Sequence, residues 1–232
     1  MNTILTSDGL YQIFRWFHYL AGVTWIGHLY YFNFVQGKFF AGTDANTKST
    51  AIRQLVPEAL WWFRWGAAYT VLFGLLMLWN KGHTAGHEIY ATSWGIWILT
   101  GSAVGLLMAY NVWFVIWPAQ KVIIASANSV ASGGAADPTA AARGARATVA
   151  SRTNVLFSIP MLFLMSAASH LPLYVSPGAN FPALVAVLAV IVLAIEANAL
   201  FGKTGPITTV KGVIIWGFVL SVILYSVITL LV

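Results

Sequence analysis

Six stretches of this chain, roughly 10–37, 60–79, 92–117, 154–174, 181–200 and 211–231, are predominantly apolar over about 20 residues or more. A helix needs about that length to cross the ~30 Å hydrocarbon core of a bilayer. Composition agrees: 59% of the 232 residues are apolar and only 8% are charged. Soluble domains are about a quarter charged. No strand-like alternation persists, so a membrane β-barrel is not supported. The expected fold is an all-α integral membrane protein, a bundle of about six transmembrane helices forming a single domain over 1–232. Pro57 is expected to precede the second span, and Pro177 and Pro182 to flank the start of the fifth. The N-terminus shows no basic run and no small-residue cleavage site, so no cleavable signal peptide is expected.

The net charge of +6 raises the question of nucleic acid, and its placement answers it. Lys38, Lys48, Arg53 and Arg64 follow the first span or open the second. Lys121, Arg143, Arg146 and Arg152 surround the long third loop, and Lys203 and Lys211 the last. Only Arg15 and Lys81 lie on the opposite side, which leaves ten of the twelve basic residues on one side. Cytoplasmic loops carry such an excess. Both termini are therefore expected on the outer, periplasmic side, and no nucleic-acid partner is needed. The one compositional break, "SANSVASGGAADPTAAARGARATVA" at 126–150, reads as a cytoplasmic Ala/Gly/Ser-rich loop with helical ends.

There is no cysteine. Disulfides, iron–sulfur clusters and covalent c-type haem are excluded, because none can be built without a thiol. The histidines inherit most of the metal chemistry open to the chain. Buried ionisable groups in a bilayer are costly, so each one marks a functional site until a structural partner explains it. With the N-terminus outside, His18 lies in the outer part of the first span and His170 near the outer end of the fourth. Two imidazoles from separate helices at similar depth are what a bis-imidazole haem b requires. Gly22 and Trp25, four and seven residues after His18, share its helix face. They are expected to give the macrocycle clearance and a packing wall, as Ser166 and Ala167 do beside His170.

The competing reading is that each histidine only bonds between helices or sits at the wet interface. His28 falls about 15 Å further along the helix than His18 and roughly 80° around it. It is not expected to ligate the same iron; a core hydrogen bond is favoured for it. In the outer loop "KGHTAGHEIY", His83 and His87 are four residues apart and Glu88 adds an oxygen, a weaker candidate metal site. The same polar loop equally suits solvated histidines. Asn111, Glu196 and Asn198 interrupt apolar spans, and Arg64 or Asn111 is the expected partner of Glu196. Tryptophans cluster at 61–65, 94–97 and 113–117. An interfacial belt explains them, and walls around a flat cofactor are the alternative.

The motifs "RWFHYLAGVTWIGHLYYFNFVQ", "PEALWWFRWGAAYTVLFGLLML", "NVWFVIWPAQKVI" and "SRTNVLFSIPMLFLMSAASHLPL" resemble the membrane domain of the bacterial urate hydroxylase family. That family joins a urate-oxidase N-terminal membrane region to a cytochrome c domain. The resemblance covers the first four spans, about 1–174, and the last two read as generic. It implies a multi-pass protein of the bacterial cytoplasmic (inner) membrane that oxidises a small substrate, urate in the family, and passes electrons to a c-type cytochrome. With no C-x-x-C-H in this chain, that cytochrome is expected to be a separate protein. Two functions follow as alternatives. One is a haem-b-binding membrane redox protein, an oxidoreductase. The other is a non-catalytic or haem-holding accessory subunit of a larger membrane respiratory or monooxygenase complex.

Overall fold

The computed structural model describes residue 4 and residues 6–232. Among these residues there is no strand, and the chain forms six helical rods. The first runs through α1 (Ser7–Tyr30), a π-helical turn at Tyr31–Gln36 and α2 (Gly37–Gly42). The second is α3 (Ala45–Ala85); the third joins α4 (Ser93–Tyr110), a π-helical turn at Asn111–Ile116 and α5 (Trp117–Ala131). α6 (Ala140–His170), α7 (Phe181–Phe201) and α8 (Val210–Leu231) complete the bundle. Four helical stretches are long and apolar enough to cross a membrane: Ser93–Ala131, Ala140–His170, Phe181–Phe201 and Val210–Leu231. The first two rods carry more of the charged and imidazole side chains, among them His18, His28, Arg53, Glu58, Arg64 and Lys81, and fall short of that hydropathy.

Side-chain caps start the rods where free N–H groups would otherwise lack acceptors. Thr6 Oγ1 accepts from the Gly9 N–H at 3.1 Å, and Asp44 Oδ1 from those of Asn46 and Thr47 at 3.0 Å. Asn180 and Thr209 cap α7 and α8 in the same way. One expectation is corrected here. Pro57 lies inside α3 instead of preceding a helix. The 126–150 segment is a loop at 132–139 with the expected helical ends, which are long: α5 continues to Ala131 and α6 begins at Ala140. Alanine is the best helix former, and the break contracts to the Gly133-Gly134 and Asp137-Pro138 breakers. Pro118 has no N–H to give the carbonyl four residues back, and the π-helical turn at 111–116 widens the helix immediately before it.

Glycines set the closest helix approaches. Gly66 of α3 lies on the α1 backbone: a Cβ there would stand 3.0 Å from the Trp25 nitrogen and 3.3 Å from the Ala21 oxygen. Gly101 of α4 and Gly217 of α8 lie against α6, where added Cβ atoms would meet Leu164 Cβ at 3.2 Å and the Leu156 oxygen at 2.9 Å. Lipid supplies no hydrophobic drive between helices, so close backbone approach through small residues carries the packing. α6 is the central element, with Thr153 to Ser158 buried in unbroken succession.

The rods alternate in direction, and this sorts their ends. Lys81 lies over the Tyr11 ring, the Trp97 indole donates to the Leu171 carbonyl at 2.9 Å, and the Ser176 N–H to Val232 at 2.8 Å. The start of α1 and the end of α8 therefore share one end of the bundle. At the other end, Lys48, Gln36, Gln120 and Arg152 line one cavity, and Arg152 donates to the Thr208 carbonyl. We expect Gly66→Leu to lower the stability of the detergent-solubilised protein by about 1–3 kcal/mol, because overpacked sites must shift backbone. Gly27, which has nothing within 4 Å of an added Cβ, should accept alanine with little change. Thermal unfolding of the two variants beside the parent checks this contrast.

Candidate functional site

His18 lines a cleft between α1, α3, α4 and α6, together with Trp25, Thr70, Gly74, Ser102, Met161 and Met165. A carbonyl can only accept, so the 2.8 Å contact from His18 Nδ1 to the Thr70 oxygen places the proton on Nδ1. Nε2 then carries the lone pair. An outer hydrogen bond that fixes tautomer and ring orientation is the usual support of a metal-ligating imidazole. The ring lies against Gly74, where an added Cβ would be 3.1 Å from His18 Cε1. Thr70 is itself held, its hydroxyl donating to the Gly66 carbonyl at 2.7 Å. The site therefore rests on the same α1–α3 glycine contact that sets the fold.

Of the other expected residues, only Trp25 joins it. Trp25 is 2% exposed and lines the His18 cleft as expected. Gly22 faces Thr70 instead, with an added Cβ 3.9 Å from that side chain, so its small size serves the α1–α3 approach. His170 is exposed at the last residue of α6, its Nδ1 donating to the Ser166 carbonyl at 3.0 Å, and it is not among the residues lining the cleft. The cleft measures about 60 Å³, whereas small-molecule pockets span about 300–1,000 Å³. A haem b between His18 and His170 does not fit this packing. Similar depth was the reason to pair the two imidazoles, and of the two only His18 lines the cleft.

His28 donates from Nδ1 to the Thr24 carbonyl of its own helix at 2.7 Å and lines a separate open groove with Glu58 and Trp62. The weaker metal candidate does not assemble. α3 ends at Ala85, Gly86 turns the chain with φ of 83°, and His87 and Glu88 enter a short 3₁₀ segment, so no common helix turn joins His83 to His87. His83 stacks on Trp79 with rings 5.7 Å apart, and His87 on Tyr90. Among the described residues, no group of three His, Asp or Glu is placed to hold a metal ion.

Glu196 finds its partner in Asn111. The Asn111 amide donates to Glu196 Oε2 and to Asn154 Oδ1, each at 3.1 Å, and the Asn154 amide donates to the Met108 carbonyl at 2.9 Å. Arg64 instead lies over the Trp117 ring, 3.8 Å from its centroid. The sequence reading did not single out Met161, Met165, Ser102 or Gly74. The i,i+4 spacing of the two methionines was a visible signal, because it puts them on one helix face.

A second cavity, about 300 Å³, opens at the basic end. The π-helical turn at 31–36 gives it Phe32, Asn33 and Gln36; Lys48, Gln120 and Arg152 come from the neighbouring rods. No carboxylate lines it, and Gln36 Oε1 is buried without a hydrogen-bond partner. Amide and cationic donors around aromatic walls suit a small polar or anionic molecule.

The fold and these two concavities define an all-helical protein built for the bilayer, with an imidazole-bearing cleft towards one end and a polar cavity at the other. The chain belongs to the urate oxidase N-terminal family, which matches it over residues 82–229. That stretch takes in α7 and α8, which the sequence reading treated as generic, and leaves His18 outside it. No curated protein and no solved structure matches the chain.

Glu196→Gln should fold with unchanged stability. Glutamine keeps an acceptor for the Asn111 amide and gains a donor for Asn111 Oδ1, which has no partner. Glu196→Ala should cost about 1–3 kcal/mol, the penalty for leaving a buried polar group unsatisfied. Thermal unfolding in detergent separates them, and equal losses would show that the carboxylate itself is required.

Proposed function

We propose that the chain is the membrane-embedded redox module of a urate-oxidase system, oxidising a small substrate and passing its electrons to a separate c-type cytochrome. The observation that carries the proposal is the His18 imidazole, fixed by the Thr70 carbonyl with its Nε2 lone pair left for a metal centre. Family membership supports the substrate class, urate by the family's description. The cavity at the basic end supports a binding place for it: Asn33, Gln36 and Gln120 match amide edges, and Lys48 and Arg152 match negative charge. In this reading the basic end faces the cytoplasm and the His18 end faces the periplasm, where the cytochrome docks.

Two experiments test the proposal. A reporter fused after Val232 should be active in the external compartment, and activity in the cytoplasm would reverse the assignment of ends. Purified protein should reduce added cytochrome c in the presence of urate. That rate should fall about a hundredfold or more in His18→Ala and change little in His28→Ala, since one group lines the cleft and the other does not. Full activity in His18→Ala would overturn the proposal.

A further inference from the structure

We propose that His18, Met161 and Met165 form a Cu(I) site. The proposal rests on the reading that His18 Nε2 is a metal ligand, and on no step of electron transfer. Met161 and Met165 lie four residues apart on α6, on one helix face, and both line the cleft that His18 enters from α1. Thioether and imidazole together are a soft donor set that selects Cu(I) over Zn²⁺, Mg²⁺ or Ca²⁺. No carboxylate lines the cleft, so nothing there favours a hard dication.

Size points the same way. About 60 Å³ is too small for a macrocycle and sufficient for an ion with a water or two, given a water's share of about 30 Å³. The lining is apolar and small beside the donors: Gly74, Gly105 and Ser102 line the cleft between the donors of α1 and α6. The Trp25 ring also lines the cleft, and an aromatic face attracts a desolvated cation. The bond from His18 Nδ1 to Thr70 supplies the orienting contact that a ligating imidazole needs.

The test uses the full-length protein purified in detergent, with Cu(I) as the probe and a chromogenic Cu(I) chelator as competitor. X-ray absorption should report a shell of mixed sulfur and nitrogen. Met161→Leu, Met165→Leu and His18→Gln should each weaken Cu(I) at least about tenfold, as even outer-shell losses cost about 10–100-fold. Leucine preserves core volume, and a circular dichroism melt confirms that each variant folds. Affinity unchanged in the double Met161→Leu/Met165→Leu variant would overturn the proposal and leave the methionines as core packing. Haem bound through His18 would overturn copper while sustaining the metal-ligand reading. Binding of neither by the parent protein would overturn both.

Discussion

The bundle depends on one buried polar knot, the Asn111 amide shared between Asn154 and Glu196. These residues come from the third rod, α6 and α7, so the knot joins three helices that apolar contact alone would leave free to slide. Asn111 and Asn154 are 0% exposed, and Glu196 is 6% exposed. At such depth an unmatched amide or carboxyl is expensive, and the register that pairs the Asn111 amide with both neighbours is correspondingly specific, although Asn111 Oδ1 and Glu196 Oε1 stay without a partner. Ser151, Asn154 and Ser158 continue the theme along α6. Asn33 donates to Ser151 at 2.8 Å and Tyr30 pairs with Ser158 at 2.9 Å, which fixes α1 against the same helix.

The knot coincides with an irregularity in the backbone. Asn111 opens the π-helical turn that Pro118 accompanies, and the other π-helical turn, at 31–36, supplies Asn33 and Gln36 to the polar cavity. A wider turn inserts an extra residue and re-aims the side chains that follow, which is why such turns gather at functional sites. Here both lie next to polar groups that a regular helix would direct differently. The cavity at the basic end is thus a product of helix distortion.

The two concavities differ in the chemistry they offer. The His18 cleft is small and mostly apolar, with an imidazole and two thioethers in its lining; the basic-end cavity is five times larger in volume, about 300 against 60 Å³, and sets amides and cations among apolar and aromatic walls. Hydrogen-bonding side chains gather in the second, and an imidazole and two thioethers in the first. The two lie at different levels of one bundle.

How much of this was legible beforehand depended on the kind of question. Helicity, suitability for a bilayer and the gathering of basic residues at one end were readable, because composition and hydropathy act along the chain. The helical ends of the 126–150 loop were readable too, because alanine's backbone preference is helical even where its small size resembles loop composition. His18 and Trp25 were correctly placed on one face, since a single helix fixes their angle. His170 does not line the same cleft, for a related reason. Sequence gives depth in the membrane, a coordinate along the helix axis, whereas facing is an angle around it. That angle is set by how α6 packs on α4, through Gly101 and the Asn154 bonds to Asn111 and Met108, and that packing puts Met161 and Met165, not His170, in the lining of the His18 cleft. The sequence by itself therefore determined which groups exist and at what depth. Only the tertiary structure decided which of them meet.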